Sequence, residues 1–318
     1  MNERTARRKV PMKKYISFES ADGRTDLNVV MWLPNGRPRA AVQIIHGMAE
    51  FIERYDAFAR FLNEHQIMVI GHDHLGHGDS VDAEHPLYGY FSKGNSPDIL
   101  ISDTANVTAY LKKRFPTLPL FLLGHSMGSF ILRNYLQTQT HPVDGAIVMG
   151  TSSERREAAH ALRILRVLNR TSGTKFNPVM DKLIFLNYNQ PFKQDNLTFS
   201  WLSKNQENVR WYEANDKTGF PFTNNGYYTL MSLIHHGAGK KWYESIPRTL
   251  PFLIISGEMD PVGNYGKGPR KVAQELQEGH FDDVTLQLYH DLRHEILHEA
   301  EADIVMLDLL NWMQKRMD

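Results

Sequence analysis

Short apolar runs of strand length recur along this chain, each followed by a segment with helical spacing, and that alternation limits the architecture more than any other feature. Ala40 to His46, Ile67 to Gly71, Leu118 to Gly124, Gly145 to Met149 and Pro251 to Ser256 are nearly continuous apolar runs, the pattern of strands buried on both faces. Between them Arg54 to His65, Ile99 to Phe115 and Gly128 to Gln137 carry apolar residues at helical spacing. Val272 to Gln277, the strand Val284 to His290 and the helix His298 to Met313 extend the same rhythm to the end. Strands alternating with helices pair in parallel through right-handed crossovers. The expected fold is therefore α/β, a mostly parallel central sheet of about eight strands flanked by helices.

Two further strands, Tyr15 to Glu19 and Leu27 to Leu33, are expected to form a hairpin across Asp22-Gly23. The rhythm stops between about Thr151 and Ser245, a stretch rich in Asn, Arg and aromatic residues whose periodic parts, such as Glu157 to Leu168, are helical. The expected organisation is thus a leader over residues 1–14, a first core part over 15–150, a mainly helical cap inserted over 151–245, and a second core part over 246–318. With 318 residues, 42% hydrophobic, the chain can bury a large core. Lys plus Arg and Asp plus Glu both number 36, so overall charge gives no reason to expect nucleic acid as a partner. There is no cysteine, which excludes disulfides, thiolate chemistry and cysteine-held metals. No run of about 18 apolar residues occurs, and the basic N-terminus has no apolar stretch behind it, so the expectation is a cytoplasmic protein without stable membrane insertion.

Gly124-His125-Ser126-Met127-Gly128 matches G-x-S-x-G, and a buried strand runs into it while a helix leaves it. On such a strained turn the flanking glycines let strand and helix approach closely, and the Ser126 hydroxyl projects at the carboxyl edge of the sheet, where ligands bind in open α/β sheets. Ser126 is the candidate nucleophile. A serine needs a base and the base needs an orienting carboxylate, which follow in the chain order acid, then histidine. Asp260 lies just past the strand Pro251 to Ser256, with Glu258 as competitor. His294 lies mid-loop after the last strand, with His290 and His298 as alternatives. The N–H groups of Met48, beside Gly47, and of Met127 are the candidate oxyanion donors. His46 is read as a structural hydrogen-bonding residue.

His72-Asp73-His74-Leu75-Gly76-His77-Gly78-Asp79-Ser80 holds three histidines and two aspartates, the one segment that could suit a divalent metal. No matching ligands stand out elsewhere, and no metal or cofactor is expected. Cap aromatics such as Trp201, Trp211, Tyr212, Phe220, Phe222, Tyr227 and Tyr228 could line a substrate pocket or simply pack. His235-His236-Gly237 carries no assigned role.

Over roughly residues 25–310 the chain resembles the monoacylglycerol lipase and lysophospholipase branch of the α/β-hydrolases. His46-Gly47-Met48-Ala49-Glu50 with Arg54-Tyr55, the histidine-rich turn, the Ser126 motif, and Asp260 with His294-Glu295 carry that resemblance. It implies the Ser126, Asp260, His294 triad with a Met48 and Met127 oxyanion hole, a structural role for the histidine turn, and a cap over an apolar acyl pocket. The implied partner is a small-molecule ester or monoacyl lipid. A serine aminopeptidase on the same fold is the nearest rival; a non-catalytic ligand receptor and a metallohydrolase are rivals of other classes.

Overall fold

The computed structural model describes residues 12–82, 84–138, 140–153 and 156–317. Its first hairpin is closed by local chemistry: Asp22 Oδ1 accepts the N–H groups of Arg24 and Thr25 at 2.8 and 2.9 Å, and Gly23 takes a left-handed φ of 68°. The hairpin joins β1 (Met12–Glu19) to β2 (Asp26–Leu33). β1 starts at Met12 rather than Tyr15, so residues 12–14 of the expected leader are strand; residues 1–11 lie outside the described residues. The extension has a physical anchor. Lys13 pairs with Trp32 in register, lies 5.4 Å from its ring centroid, and reaches Glu53 with its ammonium group.

β3 (Ala40–Ile45), β4 (Ile67–His72), β5 (Leu120–His125), β6 (Gly145–Met149), β7 (Phe252–Gly257) and β8 (Val284–Tyr289) complete one sheet, in the order β1-β2-β4-β3-β5-β6-β7-β8. From β4 onward every pairing is parallel, while β2 is antiparallel to both of its neighbours. Every residue of β3 to β7 is buried, which explains why these strands read as unbroken apolar runs. Alternate residues serve opposite cores: Leu122, Val148 and Ile254 face one side, Phe121, Ile147 and Ile255 the other.

The helices that precede β6 are α1 (Asp56–Glu64), α2 (Ser96–Arg114) and α3 (Met127–Thr138). Between β6 and β7 lie α4 (Arg156–Ser172), α5 (Pro178–Phe185), α6 (Gln206–Ala214) and α7 (Asn224–Gly237), and after β7 come α8 (Lys267–Glu278) and α9 (Ala302–Gln314). α1 and α9 cover one face of the sheet through Phe58, Leu62, Val305 and Leu309; α2, α3 and α8 cover the other. α8 begins before the expected Val272 and α9 after the expected His298. His298 instead belongs to a turn whose N–H bonds the Glu295 carbonyl at 2.8 Å.

The segment between β6 and β7 is not uniform. α7 packs on α3 and α4, its Tyr227, Leu230 and Leu233 join the same core as α2 and α3, and Asn134 donates to the Leu233 carbonyl at 2.9 Å. By contrast α4 and α5 leave Ile164, Val167, Val179 and Leu183 at 60–67% exposure. No described helix is long and apolar enough to cross a membrane.

Candidate active site

β5 delivers Ser126 to the carboxyl edge of the sheet and α3 starts at the next residue, so the strand must turn within one position. Ser126 accordingly adopts a left-handed φ of 53°, a strained conformation for a residue with a Cβ, held by its N–H on the Met149 carbonyl at 2.9 Å and by Ser129 on its own carbonyl. The flanking glycines are there for space. A Cβ on Gly124 would stand 2.4 Å from the Gly128 carbonyl oxygen, and one on Gly128 would stand 2.0 Å from that of Ile45. The Met127 N–H opens the first turn of α3 and has no intrahelical acceptor. Met48 follows Gly47, whose Cα lies so near the nucleophile that an added Cβ would be 3.2 Å from Ser126 Cβ. No described residue accepts the Met48 N–H.

Of the three candidate histidines, the structure brings one to a carboxylate in the cleft. His294 Nδ1 donates to Asp260 Oδ2 at 2.9 Å, with both side chains buried. Asp260 is itself fixed: its Oδ1 accepts the Val262 N–H at 2.8 Å and its Oδ2 also accepts Ser256 Oγ at 3.2 Å. His290 is exposed and faces Asp291, His298 donates from Nε2 to the Arg54 carbonyl at 3.0 Å, and Glu258 is turned toward Arg270. Ser126 and His294 line one cavity of about 710 Å³, along with Met48 and Met127. The rest of its wall is largely apolar, including Phe130, Ile184, Phe185, Trp201, Phe220 and Leu230. Trp201, Tyr212 and Phe220 of the expected cap aromatics line it; Phe222 and Tyr227 are core residues, and Trp211 is half exposed against Phe51.

Around this cleft lies a buried charge network centred on Glu50, Arg54 and Glu295, residues to which the sequence motifs give no chemical role. Glu50 Oε1 accepts the Gly47 N–H at 2.6 Å, His125 Nδ1 at 2.9 Å and the Tyr55 hydroxyl at 3.0 Å. Its Oε2 accepts Arg54 Nη1 at 3.0 Å. Arg54 in turn forks onto both oxygens of Glu295 at 2.6 and 2.7 Å, and α6 adds Asn208 to the same carboxylate at 2.9 Å. One guanidinium thus ties the loop of Met48 to the loop of His294. Burial opposes charge here, yet Arg54 holds Glu295 down to about 2, and His125 with Arg54 holds Glu50 well below the carboxylate range. Burial is the largest influence on His125 and would lower it, but the hydrogen bond to Glu50 together with the negative charges of Glu50, Glu295 and Asp260 raises it. The signal available in the sequence is a carboxylate and a guanidinium, Glu50 and Arg54, four residues apart in the segment that follows a buried strand.

The histidine-rich turn braces the same loop. Asp73 accepts the N–H of Ile52 at 2.8 Å and of Asp79 at 2.9 Å, plus the Asn28 amide at 2.8 Å. His46 accepts the His74 N–H at 3.0 Å, and His77 Nε2 accepts the Ala49 N–H at 3.2 Å. Burial lowers His46 to about 3 and His72 and His77 to about 4, so these rings are neutral; His46 and His77 use theirs to hold backbone groups, while His72 packs without a ring hydrogen bond. Among the described residues no group of three or more His, Asp or Glu side chains converges as metal ligands would.

The sequence profile of the family described as serine aminopeptidase, S33, matches residues 36–301. The monoglyceride lipase of Homo sapiens is 27% identical over 315 residues, covering 96% of this chain and 92% of the relative. The monoacylglycerol lipase of Mycolicibacterium smegmatis is 25% identical, covering 89% and 91%. Among solved structures, a thermostable carboxyl esterase from Bacillus coagulans in complex with glycerol superposes with a TM-score of 0.89 at 26% identity, covering 96% of this chain and 99% of that one. A lipase in an open form gives 0.88 at 27%, covering 96% and 100%.

Proposed function

Because the chain belongs to the serine aminopeptidase S33 family of α/β-hydrolases, in its monoacylglycerol lipase-like branch, we propose that this ester hydrolase cleaves monoacyl esters through an acyl-enzyme on Ser126. The observation that carries the reading is the apolar cavity of about 710 Å³ with Ser126 and His294 in its wall and Asp260 behind His294. Ser126 Oγ attacks the ester carbonyl while His294 Nε2 takes its proton. The Met48 and Met127 amides stabilise the oxyanion, worth roughly 3–4 kcal/mol per donor in comparable sites. His294 then gives the proton to the departing alcohol, and a water deprotonated by His294 releases the fatty acid and restores Ser126. In this reading residues 151–245 are the cap that closes the acyl side of the cavity.

The family's name also raises aminopeptidase chemistry, which needs a carboxylate free to meet a substrate ammonium group. Three carboxylates line the cavity: Glu50 and Glu295 are neutralised by Arg54, and Asp181 accepts the Tyr227 hydroxyl at 2.6 Å on one oxygen. That leaves one carboxylate for an ammonium group in a largely apolar wall, which favours the ester reading. A fluorophosphonate probe is expected to label the protein and not the Ser126→Ala variant, and aryl esters are expected to be cleaved faster as the acyl chain lengthens toward the cavity's reach. Labelling of both proteins, or faster cleavage of aminoacyl arylamides than of any acyl ester, would sink the proposal.

A further inference from the structure

Ser126 and Met127 share one peptide group. Its N–H is one of the two oxyanion donors of the mechanism above, and its carbonyl, on the opposite side of the planar peptide, lies inside the protein. That carbonyl accepts the Ser129 N–H at 2.9 Å and the Ser129 hydroxyl at 2.6 Å. Ser129 Oγ also stands 2.9 Å from Thr151 Oγ1, just past the end of β6, and Thr151 Oγ1 stands 3.4 Å from Nη1 of Arg133, further along α3. A hydroxyl has one proton to give. With the Ser129 proton on the Ser126 carbonyl, the proton between the two hydroxyls is that of Thr151, and Thr151 in turn accepts from the guanidinium. The result is a one-way chain of donors from Arg133 through Thr151 and Ser129 to the Ser126 carbonyl. All three side chains are fully buried.

Folding stability gives no reason for a guanidinium here. Arg133 Nε and Nη2 have no hydrogen-bond partner, and Arg133 makes no ion pair among the described residues. Glu275, the carboxylate whose charge acts on it, accepts Trp242 Nε1 at 3.1 Å, and the guanidinium lies 4.1 Å from the Trp242 ring centroid. Burial lowers Arg133 to about 9, which leaves it charged at neutral pH. Burying a cation without a paired carboxylate is costly. The hydrogen bonds that Arg133 does make, from Nη1 to the Ser152 carbonyl at 2.9 Å and to Thr151, both fall on the segment behind the nucleophile.

We propose that Arg133, Thr151 and Ser129 are a positioning relay for the oxyanion hole: donating in series onto the Ser126 carbonyl, they polarise the Ser126–Met127 peptide and make its N–H a stronger donor to the oxyanion. This deepens the ester hydrolase reading and rests on it, through the role of the Met127 N–H. Hydrogen bonds in series strengthen one another by about 10–30% per bond in a low-dielectric interior. Loss of a whole oxyanion donor costs on the order of 10²–10³-fold in kcat, so a strengthening of that size is worth roughly two- to eightfold. None of the three side chains meets the substrate carbonyl in its ground state, so the effect falls on kcat and leaves KM alone.

Four substitutions test the relay. Thr151→Val keeps the shape and removes the hydroxyl, Thr151→Ser keeps the hydroxyl, Ser129→Ala removes the last donor, and Arg133→Met removes the first. A decanoyl aryl ester reads kcat and KM. Two ketones with the same decyl chain separate the states: the trifluoromethyl ketone, which Ser126 converts to a hemiketal oxyanion, and the methyl ketone, which binds as a neutral carbonyl. Thr151→Val and Ser129→Ala are expected to lose roughly two- to eightfold in kcat and the same factor in affinity for the trifluoromethyl ketone, with KM and methyl ketone affinity unchanged. Thr151→Ser is expected to match wild type. Arg133→Met is expected to show the same loss of rate while resisting denaturant as well as wild type or better, because an unpaired buried cation has gone. Wild-type kcat in Thr151→Val and Ser129→Ala, or an equal fall in affinity for both ketones, overturns the relay, the second because it marks a displaced segment and not a weakened donor. Should Arg133→Met fail to fold, the Thr151 pair decides. A wild type that neither hydrolyses the ester nor prefers the trifluoromethyl ketone sinks the ester hydrolase reading and the relay with it; an active wild type matched by its variants sinks the relay alone.

Discussion

The loops at the carboxyl edge of the sheet and the outer helices of the insertion are built in opposite ways. At the sheet edge the carboxylates near Ser126 all have fixed partners: Asp260 is held by Val262 and Ser256, Glu50 by Gly47, His125, Tyr55 and Arg54, and Glu295 by Arg54 and Asn208. On α4 and α5, Ile164, Val167, Val179 and Leu183 point largely into solvent. The first region stores precision and the second leaves adaptable apolar surface beside the cavity. Substitutions in the first should therefore cost rate or stability steeply, and those in the second should mainly change which acyl chain is accepted.

The sharpest way to break that contrast is Asp260→Asn. The Val262 N–H is a fixed donor to Oδ1, so the amide oxygen of asparagine must sit there and its NH₂ must face His294 Nδ1. His294 would then accept at Nδ1 and carry its proton on Nε2, unable to take the Ser126 proton. A fall of about 10⁴-fold in kcat is expected with little loss of stability, as for such a tautomer switch elsewhere. Wild-type kcat in the Asn variant would show that Asp260 does not orient the base.

Arg54→Met comes next. It leaves Glu50 and Glu295 buried without their shared cation, and breaking one partner out of such a network costs about 3–5 kcal/mol. Denaturant unfolding would measure it. Arg54→Met combined with Glu295→Leu is expected to recover part of the loss, because the stranded carboxylate goes with it. A single variant as stable as wild type would mean that the network bears no energy.

How far these two regions could be read from sequence follows the same division. The buried strands and the Ser126 turn were legible because parallel strands covered on both faces must be apolar throughout, and because only glycine fits at positions 124 and 128. The bridge from Arg54 to Glu295 was not, since its ends are separated by 241 positions and only the folded sheet edge brings them together. The choice of His294 over His298 depended on where α9 begins, and helix ends are the feature that periodicity locates worst. In the insertion, α7 is core, and its composition carries the signal: Asn224–Gly237 has no Asp, Glu, Lys or Arg, whereas Arg156–Ser172 has four arginines and a glutamate.

A smaller effect tests the histidine turn that braces the Met48 loop. His72 is lowered to about 4 by burial, and neither ring nitrogen has a partner. The unfolded chain takes up a proton near 6.5 while the folded one refuses it until about 4, so His72 subtracts stability as pH falls through that window, by about 1.4 kcal/mol per pH unit. Asp73 and Asp103, both raised by burial to about 6, act in the opposite sense between about 6 and their ordinary carboxylate values, because the folded state binds those protons more readily. Comparing wild type with His72→Leu isolates the histidine: the variant should lose less stability on going from neutral pH to pH of about 5, by roughly 2 kcal/mol. Parallel pH profiles would show that His72 is not held neutral.

The smallest effect on stability should come from the insertion, and there the readout is selectivity. Leu183 lines the catalytic cavity yet is 61% exposed, so Leu183→Ser removes apolar surface at the mouth without opening the core. Unfolding free energy is expected to change by no more than about 0.5 kcal/mol, as at other exposed positions. Each methylene that loses its apolar contact weakens binding by up to about 0.8 kcal/mol, so KM should rise for long acyl chains and stay put for short ones that never reach α5. If KM rises equally for both, Leu183 touches no part of the chain that distinguishes them, and the division between a fixed chemical edge and an adaptable acyl mouth would have to be drawn elsewhere in the cavity wall.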